Sequence, residues 1–126
     1  MGIFNRLFSS NESSTDSKSE LGWNPLSSIE QLDEIKDVSS EKKVLIFKHS
    51  TRCGISSMVL KQFEQKFQPD ENTMLYFLDL LRHRDISNAI ADRFNVTHQS
   101  PQLLVIENGV CTQHASHSGI AELVRG

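Results

Sequence analysis

Cysteine is scarce in this chain: two occur among 126 residues, Cys53 and Cys111, and two thiols in such different surroundings make no disulfide framework. Long apolar runs are absent as well. Nothing approaches bilayer-spanning length, and the first residues hold no hydrophobic secretory segment with a small-residue cleavage site, so the expected location is the cytoplasm. Basic charge is not in excess. With 13 Lys and Arg against 16 Asp and Glu the formal charge is −3, which excludes a nucleic-acid binder held by phosphate contacts. The histidines match no usual zinc spacing, so no metal site is expected.

An apolar content of 37% supports one modest core once a polar tail is set aside. Residues 1–20 read as that tail. Met1 to Phe8 make a short amphipathic start, too short and too weakly basic to hold a membrane by itself, and the stretch from Ser9 to Glu20 is serine and charge without periodicity. Arg6 stands where a myristoylation signal wants Ser or Thr. The folded domain is expected over 21–126.

Within it, Ser27 or Ser28 is expected to cap a helix through Ile29, Leu32, Ile35 and Val38. Lys43 to Lys48 reads as a buried strand, and Val59, Leu60, Phe63 and Phe67 as one face of the next helix, which stops before Pro69. A second apolar strand lies between Asn72 and Asp79. Arg84 or Asp85 opens a helix through Ile86, Ile90 and Phe94. The strand ending at Ile106 is joined by Asn108-Gly109, a strong hairpin signal, to one from Val110 to about Ala115. A last helix spans Gly119 to Arg125 after a cap at Ser116 or Ser118.

That order, with right-handed crossovers and short loops, fits an α/β thioredoxin-like fold: a mixed four- to five-stranded sheet with helices on both faces. Ligand crevices of such sheets form where a central strand ends and a helix begins. Cys53 falls there. A sulfur at the first turn of a helix lies near unpaired N–H groups and the positive end of the peptide dipoles, which favour thiolate; Lys48 and Arg52 add positive charge. Lowering a thiol pKa from about 8.5 by two units raises the thiolate fraction roughly 25-fold at neutral pH, of which about eight-fold is returned as lost nucleophilicity. The larger gain is in leaving: a less basic thiolate is displaced faster.

Ser56 stands where a Cys-x-x-Cys oxidoreductase carries its resolving cysteine. It cannot close a disulfide, but its hydroxyl is placed to donate to the Cys53 thiolate. Resolution then falls to an external thiol or to Cys111, which reads either as a small packed hydrophobe or as a candidate resolving thiol. His49 and His98 are candidates for positions near the sulfur, with hydrogen-bonded scaffolding as the alternative role. His83 reads as a solvated loop histidine.

Three stretches in order, His49-Ser50-Thr51-Arg52-Cys53-Gly54-Ile55-Ser56, His98-Gln99-Ser100-Pro101-Gln102 and His114-Ala115-Ser116-His117-Ser118, resemble the monothiol bacilliredoxins of bacteria that use bacillithiol. The resemblance runs from about Trp23 to Val124. It implies removal of bacillithiol from protein mixed disulfides, with Cys53 as nucleophile and Pro101 as a cis-proline facing it. It also implies that Gln99, Ser100 and Pro101 bind substrate. Bacillithiol is then a co-substrate, bacillithiolated proteins are the partners, and no cofactor is held permanently. The family usually has proline after the cysteine, where this chain has Gly54.

Cys53-Gly54-Ile55-Ser56 is also one residue from the Cys-Gly-Phe-Ser signature of monothiol glutaredoxins that carry a [2Fe–2S] cluster. Their Thr-Val-Pro segment is replaced by Gln99-Ser100-Pro101, and their Gly-Gly pair is missing. A third reading is a non-catalytic thioredoxin-fold binding module.

Overall fold

A strand that is apolar at every position must be covered on both faces, and Val44-Leu45-Ile46-Phe47 places such a strand at the centre of the molecule. The structure, a computed structural model, describes residues 22–52, 54–67, 71–117 and 119–125. The expected tail, Leu21, Cys53, Pro69 and Ser118 lie outside the described residues. In chain order the elements are β1 (Asn24–Pro25), α1 (Glu30–Val38), β2 (Lys43–His49), α2 (Gly54–Lys66), β3 (Thr73–Asp79), α3 (Arg84–Phe94), β4 (Gln102–Glu107), β5 (Val110–Ser116) and α4 (Gly119–Arg125).

The sheet order is β1-β3-β2-β4-β5. β3 lies parallel to both β1 and β2, while β4 runs antiparallel to β2 and to β5. This is the thioredoxin-like architecture that the element order predicts.

Alternation along β2 divides the core in two. Val44 and Ile46 face Leu32 and Ile35 of α1 and Ile86, Ile90 and Phe94 of α3. Leu45 and Phe47 face Val59 and Phe63 of α2 and Ile120 of α4. Trp23 closes the second half against Phe47, Phe63 and Phe77, with ring centroids 5.6 to 6.1 Å apart. Its indole N–H donates to Glu64 at 2.9 Å, so the ring is half-buried without stranding its polar edge.

Asn108 (φ 53°) and Gly109 (φ 79°) both adopt positive φ, as a two-residue hairpin with the twist of its strands requires. Their N–H groups donate to the carbonyl and hydroxyl oxygens of Ser39 at 2.7 and 2.8 Å, tying the hairpin tip to the end of α1. The start of α1 differs from expectation. Neither Ser27 nor Ser28 caps it; Ile29 is the N-cap residue. The Gln31 amide oxygen accepts the N–H groups of Ser27 and Ser28 at 2.7 and 3.0 Å. A glutamine one turn in thus reaches back to satisfy free donors, as the glutamine of a capping box does.

Phe63, 1% exposed and in contact with Trp23, Phe47 and Phe67, joins α2 to the sheet. Phe63→Ala is expected to cost roughly 3–5 kcal/mol in urea unfolding, whereas Asp33→Asn, which removes only an exposed pair with Arg93, is expected to cost less than about 1 kcal/mol. Equal losses for the two would show that the α2 half of the core does not carry this load.

Candidate active site

β2 and β3 end, and β4 begins, at the same edge of the sheet: His49 is paired with Asp79 and Lys48 with Leu78 and Gln102. Neighbouring strand residues point to opposite faces. His49 therefore faces α2 and Lys48 faces α3, so two polar clusters form on either side of one strand end. Cys53 belongs to the chain between the exposed Arg52 and Gly54, the first residue of α2. An added Cβ at Gly54 meets nothing within 4 Å, so no close approach demands glycine at this position.

On the α2 side, Ser56 is fully buried. Its Oγ accepts the Ser50 N–H at 3.1 Å and lies 2.8 Å from His49 Nδ1. The position that would hold a resolving sulfur instead ties the strand end to the first turn of the helix. Its proton has two destinations. When His49 carries hydrogen on Nδ1, Ser56 accepts twice and its own O–H is left to donate elsewhere; when Nδ1 is bare, the O–H is taken by the imidazole. His49 is packed against Phe47 and Phe77. Burial lowers its pKa, and the Asp79 carboxylate opposes that shift. Asp79 Oδ1 is buried with no hydrogen-bond partner among the described residues.

On the α3 side, Lys48 is 0% exposed, and its Nζ lies 3.0 Å from His98 Nδ1. Burial brings its pKa down to about 8. The Ser87 hydroxyl lies 3.1 Å from the same imidazole nitrogen. Desolvation, Lys48 and Arg84 all lower the pKa of His98.

His98 belongs to the segment that leads into Ser100 and the cis bond to Pro101. Gln102 Nε2 donates to the Thr97 carbonyl at 3.0 Å, and the His117 N–H donates to the Pro101 carbonyl at 3.2 Å. Pro101 is buried, Ser100 half-buried and Gln99 exposed. Ser100 Oγ and Gln102 Oε1 are buried without partners among the described residues.

Cys111 is not brought to this edge. It pairs with Ile106, which pairs with Val44, so it sits level with the other end of β2, roughly 16 Å from His49 along the strand direction and two strand spacings across. Its Sγ–H donates to the Gln113 carbonyl at 3.2 Å, and burial raises its pKa. Burial outweighs the backbone hydrogen bonds of Val105 and Gln113, which act in the opposite direction, and the candidate resolving thiol is set apart from the turn before α2 by its register. Among the described residues no cluster of three or more His, Cys, Asp or Glu is arranged to hold a metal. His83 is half-buried at the N-cap of α3, where its carbonyl accepts the Ile86 and Ser87 N–H groups.

Lys48 was legible only as nearby charge. The signal for its burial was available: Val44 and Ile46 share its face, and a strand covered on both sides carries the next alternate residue into the same interior. Asp79 and Ser87 carried no such signal, because each depends on the register between distant segments.

Over residues 24–123 the chain matches the family model described as "Monothiol bacilliredoxin BrxC". A solved structure titled "A putative oxidoreductase with a thioredoxin fold" is 34% identical, with a TM-score of 0.67 over 78% of this chain and 85% of that one. Thioredoxin from Trypanosoma brucei brucei (17% identity, TM-score 0.61, 81% and 84% covered) has the same fold. So does thioredoxin from Malassezia sympodialis (22% identity, TM-score 0.59, 79% and 82% covered).

The lowered pKa of His49 has a consequence for stability. A base held neutral in the folded state binds fewer protons there than in the unfolded chain, so its contribution is present above the ordinary imidazole value of 6.5 and is lost as pH falls from there towards the folded value. His98 acts with the same sign. Unfolding free energy measured in urea between about pH 5 and 7.5 should therefore fall on acidification, and His49→Gln should reduce that slope without removing it. An unchanged slope in the variant would show that His49 keeps its proton on folding.

Proposed function

We propose, from the premise that this chain belongs to the monothiol bacilliredoxin family, that it removes bacillithiol from protein mixed disulfides through Cys53. The family and the thioredoxin fold make it a thiol oxidoreductase; the finer reading concerns which disulfide it takes and how the cycle closes. The observation that carries it is what occupies the two positions from which an intermediate could be resolved within the chain. Ser56 is a buried hydroxyl engaged with His49 and Ser50, and Cys111 lies at the far end of the sheet.

In this reading the Cys53 thiolate attacks the bacillithiol sulfur of the client's mixed disulfide. A bond forms between Cys53 and bacillithiol, the bond to the client breaks, and the client leaves as a thiolate that takes a proton from solvent. The thiolate of a second bacillithiol then attacks the sulfur attached to Cys53, releasing Cys53 thiolate and bacillithiol disulfide. Arg52 and Ser56 sustain the thiolate, while Gln99, Ser100 and Pro101 line the approach of the disulfide. Bacillithiol serves as co-substrate and bacillithiolated proteins as clients, in the cytoplasm. No helix among the described residues is long and apolar enough to cross a membrane, in keeping with that location.

Intact-mass spectrometry of a stoichiometric reaction with a bacillithiolated protein tests the order of events. Cys53 should gain one bacillithiol while the client appears reduced, and Cys53→Ser should gain nothing. A client trapped on Cys53 would reverse the assigned point of attack. Cys111→Ser should turn over at the parent rate; a large loss would mean that the far thiol takes part.

A further inference from the structure

The Lys48 ammonium can only donate, so the ring nitrogen 3.0 Å from it, His98 Nδ1, must be the acceptor. The Ser87 O–H is within reach of the same nitrogen. A neutral His98 therefore carries its proton on Nε2, at the edge of the ring away from Lys48. His98 is exposed while Lys48 behind it is sealed from solvent. The result is a fixed N–H donor at the surface, polarised by a buried cation at its back, with the exposed Arg84 one helical turn before Ser87, the α3 residue whose hydroxyl lies 3.1 Å from the same ring.

A buried cation ordinarily has a carboxylate partner, because an unpaired one forfeits its hydration without return. Lys48 and Arg84 make no salt bridge among the described residues; Arg93–Asp33 is the pair found there. Asp85, in the first turn of α3, is the acidic neighbour of Arg84, and Asp79 faces away from Lys48 because it shares the His49 side of the sheet. The cluster is a cationic surface patch whose anion is not supplied by the described side chains.

We propose that His98, Arg84 and Lys48 together receive a carboxylate of the low-molecular-weight thiol that exchanges with Cys53. The proposal rests on the thiol-exchange reading and deepens it by assigning the part of the co-substrate away from sulfur. One carboxylate accepts from His98 Nε2–H and from the Arg84 guanidinium, and Lys48 lends its charge through the imidazole. The patch lies on the α3 face at the end of the sheet where β2 stops and β4 begins, and His98 is in the segment that runs into Ser100 and Pro101. In the proposal the thiol end of such a molecule is directed towards Cys53, which follows the last residue of β2 by four positions. Bacillithiol carries carboxylates on its malate. One exposed imidazole N–H and one exposed guanidinium in front of buried Lys48, Ser87 and Gln102 offer partners for a single carboxylate, which suits a small molecule better than an acidic stretch of a client.

Titration of the full-length labelled protein with L-malate at constant ionic strength, followed through the His98 imidazole resonances, tests this. A saturable shift is expected, with no response to sodium chloride alone. Losing one charge-assisted contact should weaken it roughly tenfold in Arg84→Gln and by at least as much in Lys48→Met. Arg84 is exposed, so the first variant reads the site even if the second fails to fold. The proposal is overturned if His98 does not respond to malate, if the folded variants bind malate as the parent does, or if a short polyglutamate peptide moves His98 at lower concentration than malate. Malate binding involves no sulfur. Saturable binding in a protein whose Cys53 takes up no bacillithiol would sink the thiol-exchange reading, and the reverse result would sink this site alone.

Discussion

Two adjacent residues at the end of a strand covered on both faces must point into opposite interiors, and that constraint organises this molecule. Lys48 and His49 are both buried, yet neither meets the other's surroundings. The period of a strand separates a cation from an imidazole that would otherwise share one cavity. Each then recruits its own partner from a different helix and loop. His49 binds Ser56 at the start of α2, and Lys48 binds His98 in the segment before Pro101. The elements that meet at this end of the sheet are thus held by two independent polar ties anchored on a single strand, with the apolar core of β2 fixing both.

These ties differ in what they can transmit. Ser56 holds one proton between alternatives that the His49 tautomer selects, so the α2 tie can answer to a proton arriving or leaving. The Lys48–His98 contact has its direction fixed, because an ammonium cannot accept a hydrogen bond. One side of the strand end is suited to following the protonation of a sulfur through its cycle. The other is suited to presenting constant charge. A thiol exchange draws on both: the sulfur alternates between attacking and leaving, while the remainder of the thiol has only to be held.

Local signals carried most of the architecture. The apolar run of β2, the helical spacing of Val59 and Phe63, and Asn108-Gly109 each act over a few residues, and each element stands close to where its pattern placed it. The start of α1 was missed because a serine cap and a glutamine reaching back leave similar signatures, and only side-chain direction separates them. Within the site, Ser56 was marked by its spacing from Cys53, but its partner was not. That His49 takes the hydroxyl follows from strand direction meeting helix placement. The distance of Cys111 from the Cys53 turn was likewise set by the antiparallel return of β4 and β5, which no short motif encodes.

The same return explains why one thiol suffices. A resolving cysteine placed at Ser56 would break the bond that fastens α2 to β2, exchanging a structural contact for an intramolecular disulfide. Cys111, at the start of β5, is held away from that turn by the length of the strand it pairs along. In the proposed cycle, with both routes closed, an intermediate on Cys53 persists until a second thiol arrives from solution. The protein's control over the second half of the cycle therefore lies in how well it receives that thiol. Recognition of the part away from sulfur becomes the step at which one low-molecular-weight thiol is distinguished from another, because the sulfur chemistry is the same for all of them. An arrangement that gives up internal resolution gains selectivity where a buried cation can be matched by an anion brought from outside.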